Sequence, residues 1–245
     1  MEFIETVKGL ISREEVKNGT ENFLSDALDA VLGNPVAAAK IMVSFLHSPL
    51  FLREQIFWTK MEAFLNGTYL NEDDCDKLRE KITDNSERQD NTLRLLECID
   101  RAETQQKIQY IINATRYLLM DFIDRPMYFR ICHALTYSLE EDLEFLSEHI
   151  EEKDLSYSVE VQGLLATGLM YQSVIDAKNE QKYSFTPLAE IVDQYALSCN
   201  NSERYPITEQ LRSHFNAPQS KLLGVLDWEP ITAEDIDTIV SKNSI

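Results

Sequence analysis

Glycine and proline are both scarce, seven of each in 245 residues. That excludes a collagen-like repeat and leaves too few turn residues for a loop-rich β-sandwich. Cysteine is scarce too. Cys75, Cys98, Cys132 and Cys199 stand far apart, so there is no zinc knuckle and no Cys-x-x-Cys redox pair. Four separated thiols in so acidic a chain fit a reducing compartment. Positive charge is the third shortage: 23 Lys+Arg face 42 Asp+Glu, a formal net charge of −19. Such a surface repels phosphates and anionic headgroups over about a Debye length, which removes nucleic acid and membrane as default partners. The densest basic run, Lys77, Arg79 and Lys81, is interleaved with Glu80 and preceded by Asp73, Asp74 and Asp76. It reads as a solvated helix face. The longest apolar stretch, Pro35 to Leu52, is interrupted by Lys40 and His47 and broken by Pro49, whereas a spanning helix needs roughly 20 mostly apolar residues. The opening Met1-Glu2-Phe3-Ile4-Glu5 has acid where an export signal needs base, so the expected localisation is cytoplasmic.

Catalytic patterns are missing as well. There is no GxxxxGK[ST], no GxGxxG and no GxSxG, so neither a phosphate cradle nor a nucleophile elbow is expected. His47, His133, His149 and His214 are dispersed, with no HExxH or ExxH spacing. Adjacent Cys132 and His133 must point in different directions on a helix. Asp73-Asp74-Cys75-Asp76 lacks the glycine and distal glutamate of a calcium loop. The sequence therefore predicts no catalytic residue, no cofactor and no metal site, and a protein that is not an enzyme. An unrecognised hydrolase or nuclease is the rival on that point.

With 44% hydrophobic and 27% charged residues, the chain can bury a core. Apolar positions recur at helical spacing through most of it: Ile4, Val7, Leu10 and Ile11; Phe23, Leu24, Leu28 and Val31; Val36, Ala39, Ile41 and Met42; Phe51 to Leu65. Asn66-Gly67 predicts a left-handed stop for that last helix, and Gly33-Asn34-Pro35 a boundary before the third. Further helices are expected over 71–82, 92–101 and 104–123, one or two over 128–150, and another over 159–170. The acidic run Glu140 to Glu152 reads as a solvated face. Tyr171 to Asp176 and Lys182 to Thr186 alternate with period two around a polar turn, which predicts one β-hairpin. Thr186-Pro187 then opens a helix.

The run Gly163-Leu164-Leu165-Ala166-Thr167-Gly168-Leu169, a hairpin, and Tyr183-Ser184-Phe185-Thr186-Pro187-Leu188-Ala189 resembles the second half of a winged-helix domain. The resemblance covers roughly 60 residues. It implies that the helix before the wing faces outward to meet a ligand. In DNA-binding members that helix needs Arg, Lys, Asn or Gln aimed at base edges, yet residues 159–170 contain no Lys or Arg. Between Glu140 and Asn200 three basic residues stand against thirteen acidic ones, so DNA would be repelled where counterion release normally favours it. The first 150 residues resemble uncharacterised all-helical bacterial proteins of phage defence and abortive infection. The matching pieces are Lys60, Phe64 and Leu65; Leu95 to Asp100 with Gln106-Lys107-Ile108; and Ala134-Leu135 with Asp142-Leu143. That resemblance implies a defence or mobile-element locus.

The expected architecture is mainly α: a multi-helix bundle over 1–150, a winged-helix-like module with one β-hairpin over 151–200, and a helical tail over 201–245. The expected role is non-catalytic recognition of a protein partner, or of a second copy, through an acidic surface. The rivals are a winged-helix DNA-binding regulator and a membrane-active abortive effector. Partner-binding candidates are Arg125, Tyr128, Phe129 and Arg130 beside a turn, where Arg and aromatic residues suit interface anchors. In the module they are Gln162, Thr167, Lys178 and Lys182. The apolar region Val36 to Trp58 reads as bundle core or as a partner groove.

Overall fold

The computed structural model describes residues 3–10, 13, 16, 19, 22–47, 52–70, 72–82, 88–175 and 181–198. Within them the chain is mainly helical and carries a single two-stranded antiparallel hairpin. It divides into two compact units, one through Leu96 and one from Glu97.

The first unit contains α1 (Phe3–Leu10), α2 (Phe23–Val31), α3 (Pro35–His47), α4 (Leu52–Thr68) and α5 (Glu72–Ile82). Asn22 caps α2 by accepting from Ser25 N–H at 3.2 Å. The helix ends in a Schellman motif: Gly33 (φ +80°) donates to Ala30 O and Asn34 to Asp29 O. α1, α2 and α4 pack on α3. Within the Val36 to Trp58 region Ala37, Ala38, Ala39, Ile41, Met42, Val43 and Trp58 are buried and serve as core, while Val36 and Phe57 are half-buried and Ile56 is 47% exposed. Leu78 and Ile82 point inward as expected. The stop expected at Asn66-Gly67 is not there. α4 runs through both residues to Thr68, and Gly67 is not left-handed. Phe64, Leu65 and Tyr69, all buried, carry the apolar periodicity through them. The Tyr69 hydroxyl then donates to Val31 O at the end of α2. Long-range burial outweighs roughly 1 kcal/mol of glycine propensity here.

α6 (Arg88–Arg101) leads into the second unit, with α7 (Gln105–Leu119), α8 (Arg125–Tyr137), α9 (Glu140–His149), α10 (Val159–Ala166), β1 (Met170–Ile175), β2 (Gln181–Phe185), α11 (Pro187–Val192) and a π-helical turn, Asp193–Leu197. α7 is the central rod, buried from Ile111 through Leu119, with α8 and the π turn packed on it. Thr104, Asp124, Ser158 and Thr186 each cap a helix through the side-chain oxygen. The expected helix 104–123 stops at Leu119, because Asp121 (φ 63°) takes the left-handed position of a Schellman end, with Phe122 N–H bonded to Tyr117 O. Residues 128–150 form two helices, separated at Ser138 and Leu139, which are extended.

The expected helix 159–170 ends early, at Ala166. Gly168 (φ +75°) donates to Leu165 O and Leu169 to Leu164 O. Leu164 and Leu169, both wholly buried, supply the apolar contact that accompanies this motif. The Thr-Gly-Leu sequence is thus a helix stop that aims the chain into β1. β1 and β2 pair from Met170↔Phe185 to Ile175↔Gln181, with a bulge at Ser173. Leu155 adds one antiparallel rung on the other side of β2, exchanging two hydrogen bonds with Tyr183 at 2.9 and 3.0 Å. The turn between the strands and the expected tail of 201–245 lie outside the described residues.

Candidate functional site

α10 is amphipathic in a specific way. Val161 and Leu164 are wholly buried. The outward row is Val159, Gln162 and Ala166, all exposed, with Val159 at 77%. Tyr157, 60% exposed, precedes the helix; its ring lies 6.2 Å from that of Tyr183 and its hydroxyl donates to Gln162 Oε1 at 2.7 Å. Tyr171 on β1 is also half exposed. From Asp154 to Ala177 there is no Lys or Arg. The one charge on α10 is Glu160, whose carboxyl is held below its usual value by the Ser158 hydroxyl and then by its own amide. Negative charge in the first turn suits the helix dipole.

The expected site residues are not brought together. Tyr128 and Phe129 lie in the core, 0% and 4% exposed, and as core they are out of a partner's reach. The Tyr128 hydroxyl meets Thr115 Oγ1 at 2.9 Å. Burial first, and then Cys132, raises that phenol well above its ordinary value. Arg125 is half-buried in the first turn of α8, and Arg130 is exposed one turn on. Thr167 is used internally: its hydroxyl is placed on Gly163 O and Leu164 O and accepts from Ser138 Oγ at 3.1 Å. Lys182 donates to Ser156 Oγ at 3.1 Å, beside the Leu155 rung. Gln162 alone stands on the outward row of α10. Lys178 lies outside the described residues.

Sequence reasoning missed the exposed aromatic and apolar group at the α8–α9 corner. Tyr137 and Leu139 are each 56% exposed. The Arg101 guanidinium sits 5.5 Å from the Tyr137 ring centre and donates to its hydroxyl, and the His133 ring centre lies 4.5 Å from that of Tyr137. The Ser138–Thr167 bond ties this corner to the end of α10. Arg101 is 36 residues from Tyr137 in sequence, and no local signal links them. His133 points outward while Cys132 is buried.

Among the described residues no three His, Cys, Asp or Glu side chains form a group able to hold a metal, and no helix is long and apolar enough to cross a membrane. Cys75 is half-buried against Gly33, with Asp74 beside it. Burial, and then that carboxylate, push its thiol up to about 11. At pH 8 it is expected to alkylate about a hundredfold more slowly than a thiol of ordinary value 9.0. Its rate should keep rising with pH to about 11; quantitative labelling followed by peptide mass spectrometry checks this.

Fold and site together define, among the described residues, a mainly α-helical protein with one hairpin, in which the outward row of α10 is uncharged and the helix carries a single carboxylate. No family model, curated protein or solved structure matches the chain.

Proposed function

We propose that this chain is a non-catalytic recognition protein, and that its winged-helix-like module, α9 to β2, meets another polypeptide through the outward row of α10. One observation carries the reading. Val159, Gln162 and Ala166, with exposed Tyr157 bonded to Gln162, form an uncharged row on a segment without a single cation. Base readout by a groove-entering helix depends on cationic and amide side chains plus phosphate neutralisation. Protein interfaces instead favour aromatic anchors in a patch low in charge. The order α8, α9, the Leu155 rung, α10, β1, β2 supports the winged-helix likeness. The strong net negative charge favours a basic partner, through faster encounter more than through affinity.

A photo-crosslinking residue in place of Gln162, with a control in place of exposed Glu151, tests this in extract of the native host. Crosslinks to one polypeptide from position 162 and not from 151 are expected. A labelled duplex should show no binding that weakens between about 50 and 200 mM salt. Salt-sensitive duplex binding at micromolar concentration or tighter, or crosslinking to nucleic acid, would overturn the reading in favour of a DNA-binding regulator.

A further inference from the structure

α9 and α10 meet through a carboxylate. Asp142 lies in the first turn of α9 and is 5% exposed. Its carboxyl group lies directly on the backbone of α10: a Cβ built on Gly163 would fall 2.1 Å from Oδ2, 2.7 Å from Cγ and 2.9 Å from Oδ1. The rest of the acidic run is different, with Glu141, Glu144, Glu148, Glu151 and Glu152 all exposed. The groups around Asp142 are Lys107 from α7, Glu160 from α10 and Glu141 from its own helix. Lys107, itself 1% exposed, is already bonded to Glu103 at 3.2 Å. From the π turn, Asp193 is buried and bonded to Ser198, which meets Ser147 farther along α9. Lys107 therefore answers both Glu103 and Asp142.

We infer that the seating of α10 on α9 is proton-linked: it tightens when Asp142 is protonated and loosens when Asp142 is ionised. The geometry supplies the reason. An ionised carboxylate pressed onto a helix backbone at 5% exposure must either stay poorly solvated or move off, and α10 is the element it presses on. Burial is the largest influence on Asp142 and raises its carboxyl above 3.8; Glu160 and Glu141 add to that, while the Leu139 amide and Lys107 oppose it. The sign follows. A carboxyl raised in the folded state favours folding most at low pH and loses that contribution as pH rises through its native value. The window therefore opens above 3.8. Because α10 carries the outward row, its seating sets how rigidly that row is presented. The linkage itself holds whatever that row binds.

The test is an NMR titration of the full chain from pH 8 downward, following the Asp142 carboxyl carbon and the methyls of Val161 and Leu164 on the buried side of α10. A shared step is expected, with its midpoint above 3.8. The methyl step should vanish in Asp142→Asn, and its midpoint should fall in Glu160→Gln, which removes a like charge. Survival of the methyl step in Asp142→Asn, or its absence in the parent chain, would overturn the inference. If Asp142→Asn does not fold, an unmoved midpoint in Glu160→Gln overturns it.

Discussion

Gly163→Ala is expected to lower the unfolding free energy by about 2 kcal/mol, although alanine is the better helix former. Propensity alone would favour alanine by about 0.8–1 kcal/mol. Against it stands the position of Asp142, whose three carboxyl atoms lie 2.1 to 2.9 Å from where the methyl must go. The carboxylate cannot turn away freely, because it is buried. Either the carboxyl is driven from its buried place or α10 is pushed off its seat, with an overpacking cost of about 1–3 kcal/mol. That cost exceeds the propensity gain. Urea unfolding of the full chain, read by circular dichroism, measures the difference. Asp142→Ala empties the space, so the double variant should be more stable than the two single losses predict, with a coupling of about 1–3 kcal/mol. A neutral or stabilising Gly163→Ala would mean that Asp142 does not occupy this seat.

Tyr128→Ala is expected to cost about 3–5 kcal/mol, the range for removing a large buried aromatic. Tyr128 is 0% exposed, with its ring 5.3 Å from that of Phe129. Tyr128→Phe should cost only about 1 kcal/mol. The reason lies in the bonding around Thr115. Its hydroxyl donates to Ile111 O at 2.7 Å, so towards Tyr128 it acts as acceptor and the phenol is the donor. Removing the phenol oxygen leaves Thr115 with its stronger bond intact. The two variants separate a packing role from a hydrogen-bonding one by the same denaturant measurement. Equal losses would assign the energy to the hydroxyl instead. Neither variant, once folded, should alter crosslinking at position 162.

Much of the helical layout was legible because it depends on neighbours in sequence. Thr186 before Pro187 reads as a cap and satisfies an amide three positions on; Asn22, Thr104 and Ser158, which were not singled out as caps, act in the same local way. The hairpin was legible for the same reason, its alternation being a property of each strand alone. The failures are equally physical. Asn66-Gly67 reads as a stop by local chemistry, but Tyr69 is held from 38 residues away by Val31 O. Thr167 reads as an exposed recognition residue, yet Ser138 consumes its hydroxyl from 29 residues away. Arg-Pro-Met-Tyr-Phe-Arg has the composition of an interface anchor, and only the packing of α8 on α7 turns its two aromatics inward.

The amino-acid order by itself determined most of the helical segments, the alternation of the hairpin strands, and that the segment preceding the wing is without cations, since each is written in side chains a few positions apart. Tertiary packing alone decided which aromatics are core and which face water. It also made one member of a uniformly acidic run, Asp142, a buried wedge between two helices. Burial depends on what another part of the chain places opposite a residue, and local periodicity carries no record of that.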